Sequence, residues 1–305
     1  MAPIGAALIG AAYVWWHYTI RRPGEWSDFD QFWLGARALV AGENPYTVVA
    51  RDFPWPLFYP LPALLVALPF APLPLLAARC AFAAVTAAIF TYAVLHYRPH
   101  LWPFLFSAPF IYALERGQWS PLLVAGVLWP ALSPLVAVKP SIGLAFFVAW
   151  PSRRMVLGAT ALVLVSLFVM PTWPWEWFAA LADTRHILAP VTLPLGFVLL
   201  AGVLRWREPE GRMVAALACI PQTSALYELM PLSLVPDNLR GALLLTIVLN
   251  LLYILVVGLY PSTPIAASDV PAHYYSPRWP WFLALGYVPA LILLLLRKRT
   301  ARVST

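Results

Sequence analysis

The acidic residues of this 305-residue chain concentrate in one polar segment near its N-terminus, residues 21–56. The chain has only 13 Asp and Glu residues. Five of them lie in this segment, namely Glu25, Asp28, Asp30, Glu43 and Asp52. A carboxylate at the boundary between water and lipid can take a proton from a hydroxyl held within hydrogen-bond reach. Asp28 is therefore a candidate catalytic base and Asp30 the alternative, whereas the competing interpretation is that Asp28 only caps a helix.

Basic residues next to apolar stretches are the second class of candidates. Lys139 lies at a proline break between two apolar stretches, and an ionisable residue at membrane depth is costly enough to indicate function. Binding of a phosphate is one interpretation of Lys139, and snorkelling at a helix end is the other. Arg116 is a second candidate, beside Gln118. Straight crossings would place Arg116 on the cytoplasmic side, and a re-entrant segment over residues 122–137 would place it outside.

Two more groups of polar residues interrupt apolar sequence. Arg185 and His186 lie near the end of a tryptophan-rich segment, residues 172–189, that we expect to form an amphipathic helix outside the cytoplasm. They could face a lipid phosphate, or the segment could serve only as an interfacial anchor. Gln222, Tyr227 and Glu228 lie in a broken apolar stretch, where buried polar groups must find partners. They either line a substrate site or bridge helices.

Composition indicates the solvent in which these residues act. Hydrophobic residues make up 62% of the chain and charged residues 11%, and the mean hydropathy is +0.76. So few charges could not cover a soluble protein of this size, whereas lipid tolerates such a surface. The net charge of +7 is typical of the positive-inside bias and does not indicate a nucleic-acid partner. Cys80 and Cys219 lie in apolar runs without metal-ligand spacing, and we expect packed thiols.

The predicted fold is therefore an all-α, polytopic transmembrane helical bundle in one domain, residues 1–305. The chain has 32 prolines, so we expect about 9–12 spans with proline-broken or re-entrant helices around a cavity. The candidate spans are residues 2–20, 57–76, 78–95, 101–114, 121–138, 141–150, 155–170, 190–204, 213–227, 228–235, 241–260 and 279–296. A short amphipathic helix should run from Ser27 or Asp28 to Gly42 within the first polar loop.

Basic residues in short loops orient the bundle. The tail at residues 297–305 carries four of them and is expected in the cytoplasm, as is the N-terminus. Segments 21–56 and 172–189 then lie on the extracytoplasmic side of a plasma (inner) membrane.

Several short motifs, in order along the chain, resemble one family. The run Ser27–Leu39 followed by Ala41–Tyr46 resembles the first extracytoplasmic loop of the bacterial GT87 glycosyltransferases, formerly labelled domain of unknown function 2029. Phe58-Tyr59-Pro60, Gly117-Gln118 and Val138-Lys139-Pro140 resemble further motifs of that family. Trp119-Ser120 stands where the family pattern has an Asn, and the chain is short for the family.

The resemblance implies a GT-C fold with an extracytoplasmic catalytic site. It implies transfer of a hexose, typically mannose, from a polyprenyl monophosphate donor to a lipid or glycan acceptor, by one inverting displacement. The motifs place the base at Asp28 and expect Tyr59, Gln118 and Lys139 at the substrate site. No cofactor or metal site is predicted, although Asp28 and Asp30 could share a divalent cation. The other partners expected are membrane lipids.

Two other classes of protein stay open at this point. One is a transporter or lipid flippase, which would more often show repeated halves with paired broken helices. The other is a catalytically inactive scaffold for envelope assembly.

Overall fold

The computed structural model describes residues 1–182, 187–259 and 277–297, and over these ranges the chain is helical without any strand. Thirteen α-helices are numbered here in chain order. They are α1 (Ala2–Trp16), α2 (Asp28–Val40), α3 (Pro45–Asp52), α4 (Leu61–Ala67), α5 (Leu75–Tyr97), α6 (Ala108–Arg116), α7 (Ser120–Leu128), α8 (Pro140–Ala149), α9 (Arg153–Val169), α10 (Trp173–Leu181), α11 (Pro209–Cys219), α12 (Leu239–Leu259) and α13 (Trp279–Leu296).

Short segments of tighter or wider helix connect or extend these elements. A π-helical turn, His17–Arg21, continues α1, and the segment Phe282–Tyr287 inside α13 is also π-helical. The 3-10 segments are Leu68–Phe70, Pro99–Phe106, Pro130–Ala137, Pro190–Thr192, Gly196–Arg205 and Leu226–Leu234.

Three helices of the described chain are long and apolar enough to cross a membrane, namely α5, α12 and α13. The pair α9 and α10, bent by 101°, would count as a fourth if it forms one span. Large apolar side chains such as Leu8, Phe168 and Ile254 are exposed on the outside of the bundle, as expected where lipid is the solvent. The fold is therefore a helical membrane bundle, as predicted, but the expected 9–12 spans are too many for helices that cross in one piece.

Proline accounts for that difference, because it lacks an N–H donor and clashes with the preceding helical turn. Pro103, Pro134 and Pro231 each lie inside a 3-10 segment within an apolar run that the sequence suggested as a span or part of one. The helices left between such breaks are short. For example, α6 and α7 have nine residues each, or about 14 Å, against the roughly 30 Å of a hydrocarbon core. The prediction of proline-broken helices is confirmed.

The helix predicted in the first polar loop is present as α2. Ser27 caps it, because its hydroxyl accepts from the N–H of Phe29 while the N–H of Ser27 donates to Asp30 Oδ2 at 2.9 Å. This reciprocal pair is a capping box, which satisfies two of the orphan donors at the helix start. The helix ends before Gly42, whose φ of +74° suits a residue without a Cβ.

Four fully buried aromatic rings join α2 to α5 and to the turn between α6 and α7. Phe32 lies 4.9 Å from Trp119 and 5.6 Å from Phe82 between ring centroids, and Phe29 lies 5.1 Å from Phe82. Such rings bury large apolar areas and hold specific tilted or edge-on geometries. Since Phe29 follows Asp28 and Trp119 follows Gln118, this aromatic cluster sets the separation of the two polar residues.

Candidate functional site

A cavity of about 560 Å³, called here the main cavity, lies between α2, the α6–α7 turn, the start of α8, α10 and the segment after α11. Its volume is within the usual range of small-molecule sites. Seven of the residues proposed from the sequence line it together. They are Asp28, Tyr59, Gln118, Lys139, Gln222, Tyr227 and Glu228.

Gln118 connects the acidic and basic sides of the main cavity. Its Nε2 donates to Asp28 Oδ2 and, at 3.0 Å, to the hydroxyl of Tyr59. Its Oε1 accepts from Lys139 Nζ at 3.0 Å. A carboxylate only accepts and an ammonium only donates, so this amide orientation is the one that satisfies both partners. Asp28 and Lys139 are thereby held on either side of one buried side chain.

The backbone at Gly117 makes this arrangement possible. Gly117 adopts a φ of +61°, and a Cβ added there would lie 2.4 Å from Phe29 Cβ. Only glycine fits such a left-handed position at so close an approach. The hydroxyl of Ser27 donates to the carbonyl of Arg116 at 2.9 Å, which ties the start of α2 to the same turn. Together these contacts hold Asp28 beside Gln118.

Lys139 lies at the N-terminus of α8, where Pro140 and Ser141 also line the cavity. Its ammonium donates to Glu228 Oε1 at 3.0 Å and lies 4.5 Å from the centre of the Tyr227 ring. The described residues engage two of its three N–H groups, through Gln118 and Glu228. A helix N-terminus presents unpaired backbone donors and partial positive charge. The lysine and the helix start therefore form a surface suited to an anion.

Glu228 keeps one oxygen without a protein partner. Its side chain is 7% exposed, and its buried Oε2 has no hydrogen-bond partner among the described residues. Buried polar atoms are normally satisfied, and exceptions often mark sites completed by a ligand or water. Glu228 therefore uses one oxygen for Lys139 and leaves the other buried and unsatisfied by the described residues.

Asp30, the alternative base, does not line the main cavity. It is 2% exposed, bonds the N–H of Ser27, and forms a buried ion pair with the guanidinium of Arg79 from α5. These bonds occupy both carboxylate oxygens. Asp30 therefore holds α2 against α5, and it is not placed to share a cation with Asp28 at the cavity.

Arg116 also lies outside the main cavity. Its guanidinium bonds Glu25 at 2.9 Å and the carbonyl of Trp26 at 3.1 Å. This places Arg116 on the same side of the bundle as the first polar loop. The remaining candidates, Arg185 and His186, lie outside the described residues.

Several residues of the site carried no signal in the sequence. Gln31 and Trp177 both line the cavity and both bond the backbone of Phe58, at 3.2 and 3.0 Å. By contrast, Arg79, the partner of Asp30 outside the cavity, is a lone charge in an apolar run, and the cost of such a residue could have singled it out.

The position of Cys219 differs from the one predicted. We expected a packed thiol from its apolar run, but α11 ends at this residue, and its side chain is exposed at the main cavity. Cys80 is half-buried on α5. Cys219 therefore provides a chemical handle inside the site.

Within the described ranges no group of three or more His, Cys, Asp or Glu is placed to hold a metal ion. Comparison of the chain with protein-family models, with curated proteins and with solved structures finds no match.

Proposed function

We propose that this protein is a membrane glycosyltransferase that moves a hexose, typically mannose, from a polyprenyl monophosphate to a lipid or glycan acceptor. The observation that carries the proposal is the main cavity, where one amide, Gln118, connects the carboxylate of Asp28 to the ammonium of Lys139. A base and a phosphate-binding cation on opposite sides of one cavity are what a displacement at an anomeric carbon needs. The motif resemblance supports the choice of donor.

The reaction is a single inverting displacement. The acceptor hydroxyl gives its proton to Asp28 while its oxygen forms a bond to the anomeric carbon. The bond between that carbon and the phosphate oxygen breaks on the opposite face. The polyprenyl phosphate leaves with the bonding electron pair, so negative charge grows on its oxygens as the bond breaks.

Lys139 and the N-terminus of α8 stabilise that growing charge. Donors arranged before the reaction lower its barrier when they face developing charge in a water-poor site. Glu228 neutralises Lys139 in the empty cavity and limits how tightly the phosphate product is held. The hydroxyl of Tyr59, which lines the cavity, would orient a sugar hydroxyl.

The proposal includes the side of the membrane on which the main cavity opens. The donor sugar would reach the cavity from the extracytoplasmic face of the plasma (inner) membrane, with both termini of the chain in the cytoplasm.

The test is a reconstituted transfer assay. Purified protein in liposomes receives polyprenyl-phosphate-mannose and a panel of membrane glycolipid and glycan acceptors. We expect a mannosylated product of inverted anomeric configuration, with one polyprenyl phosphate released for each sugar transferred. Movement of the intact donor across the bilayer without cleavage would identify a flippase, and absence of any product across the panel would favour the scaffold or transporter alternatives. Either result would overturn the proposal.

A further inference from the structure

One buried side chain of the main cavity, Gln31 of α2, has a donor that the described residues do not use. Gln31 is 2% exposed and lines the cavity. Its Oε1 accepts from the N–H of Phe58 at 3.2 Å, and since an amide nitrogen cannot accept, this bond fixes which way the amide points. The Nε2 group has no partner among the described residues and, unlike the buried Oε2 of Glu228, it is not sealed from solvent. Gln31 therefore presents a neutral N–H donor to the cavity.

An unused acceptor lies beside this donor. Asp28 comes three residues before Gln31 on α2 and lines the same cavity, and residues at this spacing are neighbours on one helix face, about 5–6 Å apart at Cβ. Gln118 donates to Oδ2 of Asp28, whereas Oδ1 has no hydrogen bond within the described chain. One turn of α2 thus offers an acceptor and a donor next to each other.

Two aromatic side chains, Phe58 and Trp177, also line the cavity, and both are half-buried. The one polar group of the indole, Nε1–H, donates to the carbonyl of Phe58 at 3.0 Å. The part of Trp177 that remains for a ligand is therefore apolar carbon. Because Phe58 bonds Gln31 through its N–H and Trp177 through its carbonyl, a single residue of the backbone holds both side chains in place.

The helix that carries Trp177 is fixed by a second contact. Asn44 of the first polar loop donates from Nδ2 to Glu176 Oε2 at 2.6 Å. Glu176 also accepts from the hydroxyl of Thr172 at 2.9 Å. These bonds tie α10 to the loop on the side of Asp28, so the aromatic and polar groups form one built wall of the cavity.

The chemistry of this wall fits a sugar ring. A pyranose carries neighbouring hydroxyls, each able to donate and accept, beside apolar C–H surface, and binding sites of this kind combine aromatic lining with a few placed polar groups. An anionic group is disfavoured by the carboxylate of Asp28. An alcohol with a single hydroxyl could use Asp28 but would leave the Gln31 donor desolvated without a partner, which costs affinity.

We propose that this wall is the acceptor subsite and that the acceptor reacts through a pyranose ring. The inference rests on the proposed function and narrows its acceptor to a glycan or a sugar-bearing lipid. The reacting hydroxyl gives its proton to Asp28 Oδ1 as its oxygen bonds the anomeric carbon, and the polyprenyl phosphate leaves with the electron pair. Gln31 Nε2 donates to a neighbouring hydroxyl of the same ring, and Phe58 and Trp177 contact its C–H groups.

Binding to the purified full chain in nanodiscs tests the subsite without transfer. Saturation-transfer-difference NMR is recorded with methyl α-mannoside and methyl β-glucoside. The controls are triethylene glycol, which has hydroxyls without a ring, and cyclohexanol, which has a ring with one hydroxyl. We expect saturation of the ring C–H protons of at least one pyranoside and none for either control. Equal saturation of cyclohexanol or triethylene glycol would overturn the proposal.

Variants locate the binding. Gln31→Met and Trp177→Ala should each weaken binding of the pyranoside by about tenfold. Trp175→Ala is the matched control, because Trp175 is on the same helix but 74% exposed. Among monodeoxy analogues of the bound pyranoside, one should bind wild type and Gln31→Met equally, since it lacks the hydroxyl that Gln31 contacts. Unchanged binding in both variants, or a Gln31→Met effect that is the same for every deoxy analogue, would contradict this subsite.

Transfer kinetics separate this inference from the function on which it rests. With octyl pyranosides as acceptors, Gln31→Met should raise the KM for the acceptor about tenfold and leave the KM for the polyprenyl donor unchanged, whereas a general loss of structure would change both. Transfer to diacylglycerol with the same kcat/KM as to a pyranoside would overturn the acceptor assignment and leave the transferase standing. If no acceptor reacts, the proposed function fails, and the NMR result alone decides whether the wall binds a pyranose.

Discussion

The rings of Phe32 and Trp119 pack with their centroids 4.9 Å apart, and both are fully buried. Phe32 lies one turn along α2 from Asp28, and Trp119 follows Gln118 directly. The contact therefore fixes the start of α2 against the α6–α7 turn, at the point where the main cavity has its acidic side. A packing interaction with no chemistry of its own thus positions the two polar groups to which the proposed reaction assigns a role.

Variants of the Lys139–Glu228 ion pair distinguish a structural role of Lys139 from a role in sugar transfer. Lys139→Gln leaves the Glu228 carboxylate buried without its cation, and breaking a buried pair typically costs about 3–5 kcal/mol. We expect a lower melting temperature together with loss of transfer. In the double variant Lys139→Gln with Glu228→Gln, the melting temperature should recover because no charge is left unpaired, whereas transfer should stay lost. Recovery of transfer in the double variant would show that Lys139 has no role beyond stability.

Gly117→Ala tests the turn that places Gln118. Alanine is strained at a φ of +61°, and its Cβ would collide with Phe29, so we expect destabilisation by more than about 1 kcal/mol. Gly5→Ala on α1 is the matched control, because nothing lies within 4 Å of the added methyl and alanine favours helix. Thermal unfolding followed by tryptophan fluorescence should show a lower midpoint for the first variant only. Equal midpoints would mean that the turn does not need glycine.

Glu25 gives a prediction for pH. Burial raises the pKa of this carboxyl, but the hydrogen bond from His17 and the charge of Arg116 outweigh it and lower the pKa from 4.5 to about 2. Because the pKa of Glu25 is lower in the folded chain than in the unfolded chain, its ionised carboxylate stabilises the fold at pH values above the unfolded pKa. This stabilisation is lost as the pH falls through the folded pKa. The difference in melting temperature between wild type and Glu25→Gln should therefore shrink from pH 4.5 towards pH 2. A difference that stays constant or grows over that range would contradict this origin of stability.

Cys219 gives a prediction for access to the main cavity. In a Cys80→Ser background, Cys219 should react readily with a maleimide because its side chain is exposed there. Polyprenyl-phosphate-mannose should slow the reaction by filling the same space. In intact cells a membrane-impermeant maleimide should label it from outside. Labelling only after the cytoplasmic side is opened would contradict the proposed orientation.

The sequence predicts the local features of this fold well. The start of α2 follows from Ser27 and the acidic first turn, and its end follows from Gly42, because caps are local interactions. Fewer described helices are long enough to cross in one piece than the 9–12 spans expected, because hydropathy does not show whether a proline-broken run crosses the membrane or turns back. Cys219 was misjudged for a related reason, because α11 ends at the edge of a cavity that hydropathy does not encode.

The site was only partly predictable. Short motifs brought Asp28, Gln118 and Lys139 to attention, and the structure places all three in one cavity. The pairing of Lys139 with Glu228 joins residues 89 positions apart, and that of Asp30 with Arg79 joins residues 49 apart. Such partners depend on tertiary packing. His17, however, lies after an apolar run, and the cost of an ionisable residue in such a setting could have singled it out.

The most direct test of the account compares transfer by wild type, Asp28→Asn and Asp52→Asn. Asp52 is the matched control, a carboxylate of the same loop that is exposed and paired with Arg51. Asparagine retains an oxygen for Gln118 but takes no proton, so the rate of mannose transfer should fall by on the order of 100-fold or more in Asp28→Asn. The KM for the polyprenyl donor should stay close to that of wild type, and Asp52→Asn should transfer normally. Wild-type rates in Asp28→Asn would contradict the assignment of Asp28 as the base.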